Sequence, residues 1–488
     1  MKRKTLLVLL LALVMVLGLV LRLHQLGDES LWLDECFTYV YSGKELTEIV
    51  NVLKEDWHPI GYYIVTYFTT KFIGTSEIAL RLPSLIFGML SLILVYVLGR
   101  NLINRPIGLL ASLFTAVSYT AVLYSQEAKM YSMLMLFSTL SIIYFVSLLK
   151  SGRLNHFILF GISNAFLIHT HVVGIFILLA LIIYYFSCSY LYSKTKINLT
   201  ENLFSLFKRT GAKYFPRKLF YSLLVTLLLY LPWLPIFLKY QVPGLFVYGL
   251  KAKLIEKLGF NLYPTIVILS VVGIVAYILI VFYFAKRKDL LEKIIRWFSR
   301  LKFNRYIFMV CFILYLGVDL FLSPRFFASV SFIRFSIFLL PLFYILLANC
   351  FFKLSKPIFT LLLALFLIIS SFELYNYYHL DSKEQFKEAG EFLTHAANKD
   401  DVIFLYRAGI TKACFDYYYR GPAEEIRLLG NWDAGKLTLE TESKQYAYLF
   451  LNRNYEVGDL FQRTMEWNYP LVEHKRFIGI EVYKYAVS

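Results

Sequence analysis

The sequence predicts a mainly α-helical membrane protein: a polytopic bundle of about eleven transmembrane spans followed by a small extracytoplasmic α/β domain. Three observations predict it. Of 488 residues, 58% are hydrophobic and only 17% charged, against roughly 45–50% and 25% in soluble domains. Mean hydropathy is +0.60, so the excess is not confined to one segment. The apolar residues come in long runs up to about residue 372 and in short or alternating runs beyond it. Disordered, fibrous and ordinary cytosolic classes are excluded.

The first run, 5–23, follows Lys2, Arg3 and Lys4 and continues into Arg22, His24, Asp28 and Glu29 with no small-residue cleavage site. A signal peptide has a shorter apolar core and such a site, so a retained helix is expected. Further spans are expected at 82–98, 107–123, 131–149, 154–168, 172–191, 219–238, 266–284, 306–322, 335–351 and 358–372. Segment 60–73 has only fourteen residues with Lys71 near its end, and suits an interfacial or re-entrant piece.

Charge fixes the orientation. With the N-terminus inside, the inner segments hold 24 Lys and Arg against three acids, the outer loops twelve against twelve, and the tail fourteen against eighteen. Counting 60–73 as a span would put the basic loops 193–218 and 285–305 outside, against the positive-inside rule. The net charge of +17 therefore reports topology and anionic lipid, and no nucleic-acid partner is implied. The expected location is the cytoplasmic membrane, with the N-terminus on its inner side.

Two segments have interfacial character. Leu46, Ile49, Val50 and Leu53 share one helical face within 44–56, and Leu291, Ile294, Ile295, Phe298 and Leu301 share another within 289–303. A solvated helix packed on its neighbours explains either equally well. The chain divides into a membrane unit, 1–373, and an α/β unit, 374–488. In the latter, strands are expected at 402–406, 425–429, 446–451, 471–472 and 477–485, with helices at 383–397 and 411–419. Cys36, Cys188, Cys311, Cys350 and Cys414 form no CxxC pair. They read as packing residues, with Cys36 and Cys414 the alternative pair on the oxidising face.

Transporters place ionisable groups near mid-bilayer, whereas these spans carry almost none there. Polar residues gather instead in the outer loops: Trp32, Asp34, Glu35, Asp56, His58 and Pro59; then Gln126, Glu127 and Lys129; then His169, Thr170 and His171; later Arg325 and Arg334. That distribution suits an enzyme at the membrane surface. Asp34 and Glu35 are adjacent, so on a helix they diverge by about 100° and do not form one dyad. One carboxylate there suits proton acceptance from a hydroxyl, and Glu127 suits binding an acceptor or a divalent metal. Lys129, His58 and Arg334 suit a phosphate leaving group. Solvated loop acids and a polar helix cap at the histidines are the plain alternatives, and residue chemistry alone leaves enzyme and transporter both open.

Several segments narrow this: LWLDECFT (31–38), WHPIGYY (57–63), SEIALRLPSLIFGMLSLILVYVLGR (76–100), YSQEAKMY (124–131), THVVG (170–174), and Arg334-Phe335 before an apolar helix containing Pro341. In order and spacing the chain resembles the C-type glycosyltransferases that use lipid-phosphate sugars, the family of protein O-mannosyltransferases and lipid A aminoarabinose transferases. The likeness is strong over residues 1–180, looser in later spans, and one of kind in the tail. It implies a GT-C-like bundle and a glycosyltransferase moving a sugar, with inversion, from a polyprenyl-phosphate donor to a protein, lipid or glycan acceptor on the outer face. It makes Asp34 and Glu127 catalytic and Glu35 supporting. His58, Lys129 and Arg334 would bind the donor phosphate, and Trp57, His171 and Tyr131 would line the substrate loop. A divalent ion (Mg, Mn or Zn) on Asp34 and Glu127 is the cofactor left open. Pro59-Ile60 replaces Pro-Pro and Phe335 replaces Tyr, loosening one backbone constraint and removing one hydroxyl. The rival is a non-catalytic transporter or flippase of lipid-linked glycans on the same scaffold.

Overall fold

The computed structural model describes residues 2–54, 58–151, 153–195, 215–241, 334, 336–380, 383–406, 408–428, 437, 440–452 and 459–487. The expected spans 266–284 and 306–322, segments 285–305 and 289–303, most of loop 193–218, Asp56, Trp57 and Arg325 lie outside them.

The membrane part begins with ten helices: α1 (Lys2–Leu23), α2 (Leu33–Ser42), α3 (Leu46–Leu53), α4 (Gly61–Phe72), α5 (Glu77–Leu102), α6 (Arg105–Ala116), α7 (Tyr119–Leu123), α8 (Tyr131–Ser151), α9 (Leu154–Thr170) and α10 (Gly174–Thr195). Four helices among the described residues are long and apolar enough to cross a membrane: Thr5–Leu23, Glu77–Leu102, Tyr131–Leu149 and Lys356–His379. Arg217–Tyr230 and Leu234–Tyr240, bent by 83°, make a fifth if they form one span. Pro232 and Pro235 lie at that bend and withhold backbone donors, which breaks the expected span 219–238. Shorter apolar helices cover Gly174–Phe186 and Ile337–Phe351. Segment 60–73 forms α4, whose twelve residues bury Tyr62, Tyr63, Thr66 and Tyr67 against neighbouring helices.

The expected span 107–123 is two helices. The buried Arg22 of α1 donates to the carbonyls of Thr115 (3.4 Å) and Ala116 (3.1 Å), the last two residues of α6, and to Ser125 Oγ (3.0 Å). A cation at a helix C-terminus is favourable, and Ser118 Oγ then caps α7 by accepting from the Ala121 N–H. The chain turns there and delivers residues 124–130 to one end of the bundle. Glycine permits a close helix contact: a Cβ on Gly99 would lie 2.7 Å from the Gly108 Cα, where α5 meets α6.

Beyond helix Lys356–His379 stands a five-stranded sheet, ordered β2-β1-β3-β5-β4. Its strands are β1 (Val402–Tyr406), β2 (Glu424–Leu428), β3 (Tyr446–Asn452), β4 (Leu471–Phe477) and β5 (Ile480–Ala486). β1 runs parallel to β2 and β3; β5 is antiparallel to β3 and β4. Period-two alternation sends Ile403 and Leu405 to one core and Val402 and Phe404 to the other. The expected single strand 477–485 is a hairpin, split where Gly479 adopts φ +73°. Helices Phe386–Ala396 and Ala408–Tyr418 match expectation closely, while Asp459–Asn468 was not foreseen.

The first core does not stop at the sheet. It joins Phe386, Cys414 and Phe415 to Leu31, Cys36, Leu80 and Ala128 of the membrane part. Within it Cys36 and Cys414 form a disulfide across 378 residues. Reading all five cysteines as packing residues is thereby corrected for these two. Maleimide labelling of the denatured protein should count two fewer thiols before reduction than after it. Cys414→Ser should cost about 2–5 kcal/mol of stability, seen as a lower melting midpoint. Equal thiol counts would mean the bond does not form.

Candidate active site

α2 starts immediately after Trp32 and carries Asp34 and Glu35 in its first turn, where acids favour the helix dipole. The two carboxylates part as helical geometry requires. Glu35 is fully buried and takes Arg81 in a two-pronged ion pair, Nε to Oε1 at 2.9 Å and Nη2 to Oε2 at 2.8 Å. It also accepts the Ala128 N–H at 2.8 Å. Burial alone would raise its pKa, but the charges of Arg81 and Lys383 and these hydrogen bonds hold it down at about 2. Asp34 points the other way, partly exposed, and its Oδ2 pairs with Arg334 Nη1 at 2.9 Å.

Residues 124–130 are pinned from several sides. Ser132 Oγ donates to the Tyr124 carbonyl, Gln126 Nε2 to those of Arg22 (3.2 Å) and His24 (2.6 Å), Thr38 Oγ1 to that of Ala128 (2.8 Å), and Ser84 Oγ to that of Lys129 (2.9 Å). This fixes the backbone on either side of Glu127. The Glu127 side chain is buried, and its Oε2 has no hydrogen-bond partner among the described residues. Burial pushes its pKa up to about 7, with the nearby Glu35 and Asp34 charges adding to the rise and Lys383 and Arg334 opposing it.

Arg334 is the hub. Its guanidinium lies 5.3 Å from the centre of the Trp32 ring and 5.8 Å from that of Tyr131, a cation–π geometry on two faces. Tyr131 packs on Tyr124 (4.9 Å) and His171 (6.4 Å), and His171 lies 6.5 Å from His58. Gly61 makes the last contact possible, since a Cβ there would fall 2.5 Å from the His169 carbonyl oxygen at the end of α9. The Val173 N–H donates to His171 Nδ1 at 3.1 Å, which puts the ring proton on Nε2. Burial, then the His58 and Lys129 charges, lower the His171 pKa to about 3, so this imidazole is a neutral donor. Lys129 is buried with Nζ 5.9 Å from the Phe37 ring centre.

Three expected residues, Asp34, Glu127 and Tyr131, thus gather around Arg334; His171 follows from Tyr131, His58 and Lys129 lie beside His171, and Glu35 stands behind on Arg81. Trp57 lies outside the described residues. Trp32 Nε1, Tyr124 OH, Glu127 Oε2 and Arg334 Nε are all buried without a partner among the described residues, a donor and acceptor set suited to a polyhydroxylated ligand. Asp34 and Glu127 were the expected metal ligands. Among the described residues no third His, Cys, Asp or Glu joins them, and Asp34 is already engaged by Arg334. A divalent ion would complete its shell with phosphate and water oxygens. Sequence reasoning gave Trp32 no role and passed over Arg81, Lys383 and Glu384. Arg81 stood in the motif at 76–100 but was given no role of its own.

The Glu127 shift has a stability consequence. With its pKa raised from 4.5 to about 7, the native protein binds more protons than the unfolded chain in between. Its contribution is full below 4.5 and lost as pH rises through 7. Glu127→Gln removes that loss, so the variant should gain melting midpoint relative to wild type between about pH 5 and pH 8. A gap that does not change with pH would contradict the shift.

Residues 57–207, which carry His58, Glu127, Lys129, Tyr131 and His171, match the family model of dolichyl-phosphate-mannose-protein mannosyltransferase. No curated protein sequence matches the chain. Among solved structures, ArnT from Cupriavidus metallidurans bound to undecaprenyl phosphate aligns over 98% of this chain and 97% of its own, at 11% identity and a TM-score of 0.55. Its apo form gives 12% and 0.54 over 99% and 98%. The archaeal oligosaccharyltransferase AglB from Archaeoglobus fulgidus, in complex with an inhibitory peptide and a dolichol-phosphate, aligns over all of this chain and 74% of its own, at 12% and 0.50. The chain therefore has, over nearly its whole length, the GT-C fold of ArnT and AglB, and within that fold residues 57–207 resemble the dolichyl-phosphate-mannose-protein mannosyltransferases.

Proposed function

We propose that the protein is a membrane glycosyltransferase that moves a sugar from a polyprenyl-phosphate donor to a protein, lipid or glycan acceptor, with inversion, at the extracytoplasmic face. The observation that carries this is the pair of unlike carboxylates around Arg334: Asp34, ion-paired and reachable, and Glu127, buried and titrating near pH 7. The ArnT structure has undecaprenyl phosphate bound and the AglB structure is a complex with a dolichol-phosphate; the shared fold supports the same ligand class for this chain.

In the proposed reaction the acceptor hydroxyl attacks the anomeric carbon, a new C–O bond forms, and the bond to the phosphate oxygen breaks with its electrons leaving on the polyprenyl phosphate. Asp34 takes the hydroxyl proton. Arg334, with Lys129 and His58, stabilises the charge growing on the phosphate. Glu127 holds the sugar or acceptor, and Trp32, Tyr131 and His171 line the site. A divalent ion, when bound by Asp34 and Glu127, would add phosphate affinity. Residues 1–373 form the transferase unit and 374–488 the extracytoplasmic one. The Cys36–Cys414 disulfide favours that compartment, because such bonds persist where thiols are oxidised. The test incubates purified protein with a radiolabelled polyprenyl-phosphate monosaccharide and membrane extract, and compares wild type with Asp34→Asn. Transfer by wild type alone is expected. Donor binding without transfer in both forms would favour the carrier-handling rival.

A further inference from the structure

The segment bearing Asp34 is gripped from the α/β unit at nearly every residue except the two that face Arg334. Lys383 Nζ reaches Glu29 at 2.9 Å, the Lys387 N–H donates to Ser30 Oγ at 3.1 Å, and the Leu31 N–H donates to Tyr418 OH at 2.7 Å. The Leu33 N–H donates to Glu384 Oε2 at 2.8 Å, and Cys36 is bonded to Cys414. Trp32 and Asp34 are left to meet Arg334.

Of these contacts, the one from Glu384 acts on the start of the helix. A helix leaves its first N–H groups without internal acceptors, and the N-cap residue Trp32 has no oxygen in its side chain to supply one. The buried Glu384 carboxylate supplies the acceptor from outside, and its charge faces the positive end of the dipole one residue before Asp34. Glu384 is itself fixed by the β4–β5 turn. Gln385 N–H donates to the Ile478 carbonyl at 3.0 Å, the Ile478 N–H donates to Gln385 Oε1 at 2.9 Å, and a Cβ on Gly479 would fall 2.9 Å from Glu384 Cγ.

We propose that Glu384 is a positioning residue for Asp34, capping α2 from the α/β unit so that the Asp34 carboxylate is held on Arg334. The proposal rests on the reading of Asp34 as the group that accepts the proton. It makes the sheet's hairpin turn part of the active-site support.

The test uses full-length protein in detergent, with Glu384→Ala and Glu384→Gln. Hydrogen exchange of residues 31–38 is followed by mass spectrometry, alongside kcat and KM for transfer from a polyprenyl-phosphate monosaccharide. In Glu384→Ala, exchange in 31–38 should rise about tenfold, matching the loss of a cap, while exchange in β1 and β3 stays as in wild type. Its kcat should fall about tenfold with donor KM within about twofold, because binding groups stay in place while the base is mispositioned. Glu384→Gln keeps an acceptor oxygen and should restore exchange and kcat to within about threefold of wild type. Unchanged exchange and kcat in Glu384→Ala would overturn the proposal, as would a Gln variant as impaired as Ala. Faster exchange in Glu384→Ala with no transfer by any form, wild type included, would uphold the cap and remove the transferase reading instead.

Discussion

Asp34→Asn should lower sugar transfer on the order of 10²–10⁴-fold, the range expected when a positioned general base is lost, while leaving the melting midpoint nearly unchanged. Asparagine has almost the same shape and keeps a carbonyl oxygen to accept from Arg334 Nη1, so the contact at 2.9 Å has a neutral replacement. What disappears is the ability to take a proton. The structural cost is small because the substituted amide keeps that hydrogen bond at a side chain that is 29% exposed. The measurement is initial rate with saturating polyprenyl-phosphate monosaccharide, beside donor binding by the same preparation. Binding retained with transfer lost places the defect in chemistry. Turnover within about threefold of wild type would remove Asp34 from the role of base.

Why Asp34 and Glu127 stood out as candidates is a matter of where unlike residues fall. Carboxylates in loops beside apolar spans stand out, and adjacency alone separates Asp34 from Glu35. The structure realises that separation as one carboxylate on Arg334 and one on Arg81. The loop order also put Tyr131, His58 and His171 at one end of the bundle, where their rings now stand within 6.5 Å of one another in sequence of contact. The fold class was legible for the same reason: run length and composition are global quantities that survive local error.

The features that were not legible depend on partners remote in sequence. Nothing in the apolar run 107–123 announces a break, because it contains no proline and only Gly108 as a weak breaker. The break comes from Arg22, a residue of another helix that binds the carbonyls of Thr115 and Ala116. Cys36 and Cys414 lie 378 residues apart, so no spacing pattern relates them. Lys383 and Glu384 read as ordinary tail charges, and only the folded chain brings them to Glu29 and Leu33.

Arg81→Met should destabilise the protein by about 3–5 kcal/mol, the cost of leaving one member of a buried ion pair behind. Arg81 uses its whole donor set. Nε and Nη2 hold Glu35, Nη1 donates to the carbonyls of Leu26 (2.8 Å) and Glu29 (3.1 Å), and Nη2 also donates to that of Ser30 (3.1 Å). Removing it strands a carboxylate of zero exposure and three carbonyls in the loop that leads to Asp34. In wild type the depressed Glu35 pKa, about 2 against 4.5, gives stability that is complete above 4.5 and lost as pH falls through 2. Without Arg81 the largest lowering influence is gone and burial dominates, so Arg81→Met should lose its deficit partly as Glu35 becomes protonated on acidification. Glu35→Gln should cost less than Arg81→Met, since the amide oxygen still accepts from Arg81 and the three carbonyls keep their donors. The double variant Arg81→Met/Glu35→Met should recover only part of the loss, because those carbonyls stay unpaired whether or not the carboxylate is present. Melting midpoints of the four proteins at neutral pH decide the matter. Full recovery in the double variant would mean that the ion pair alone, and not the binding of the loop carbonyls, is what Arg81 contributes.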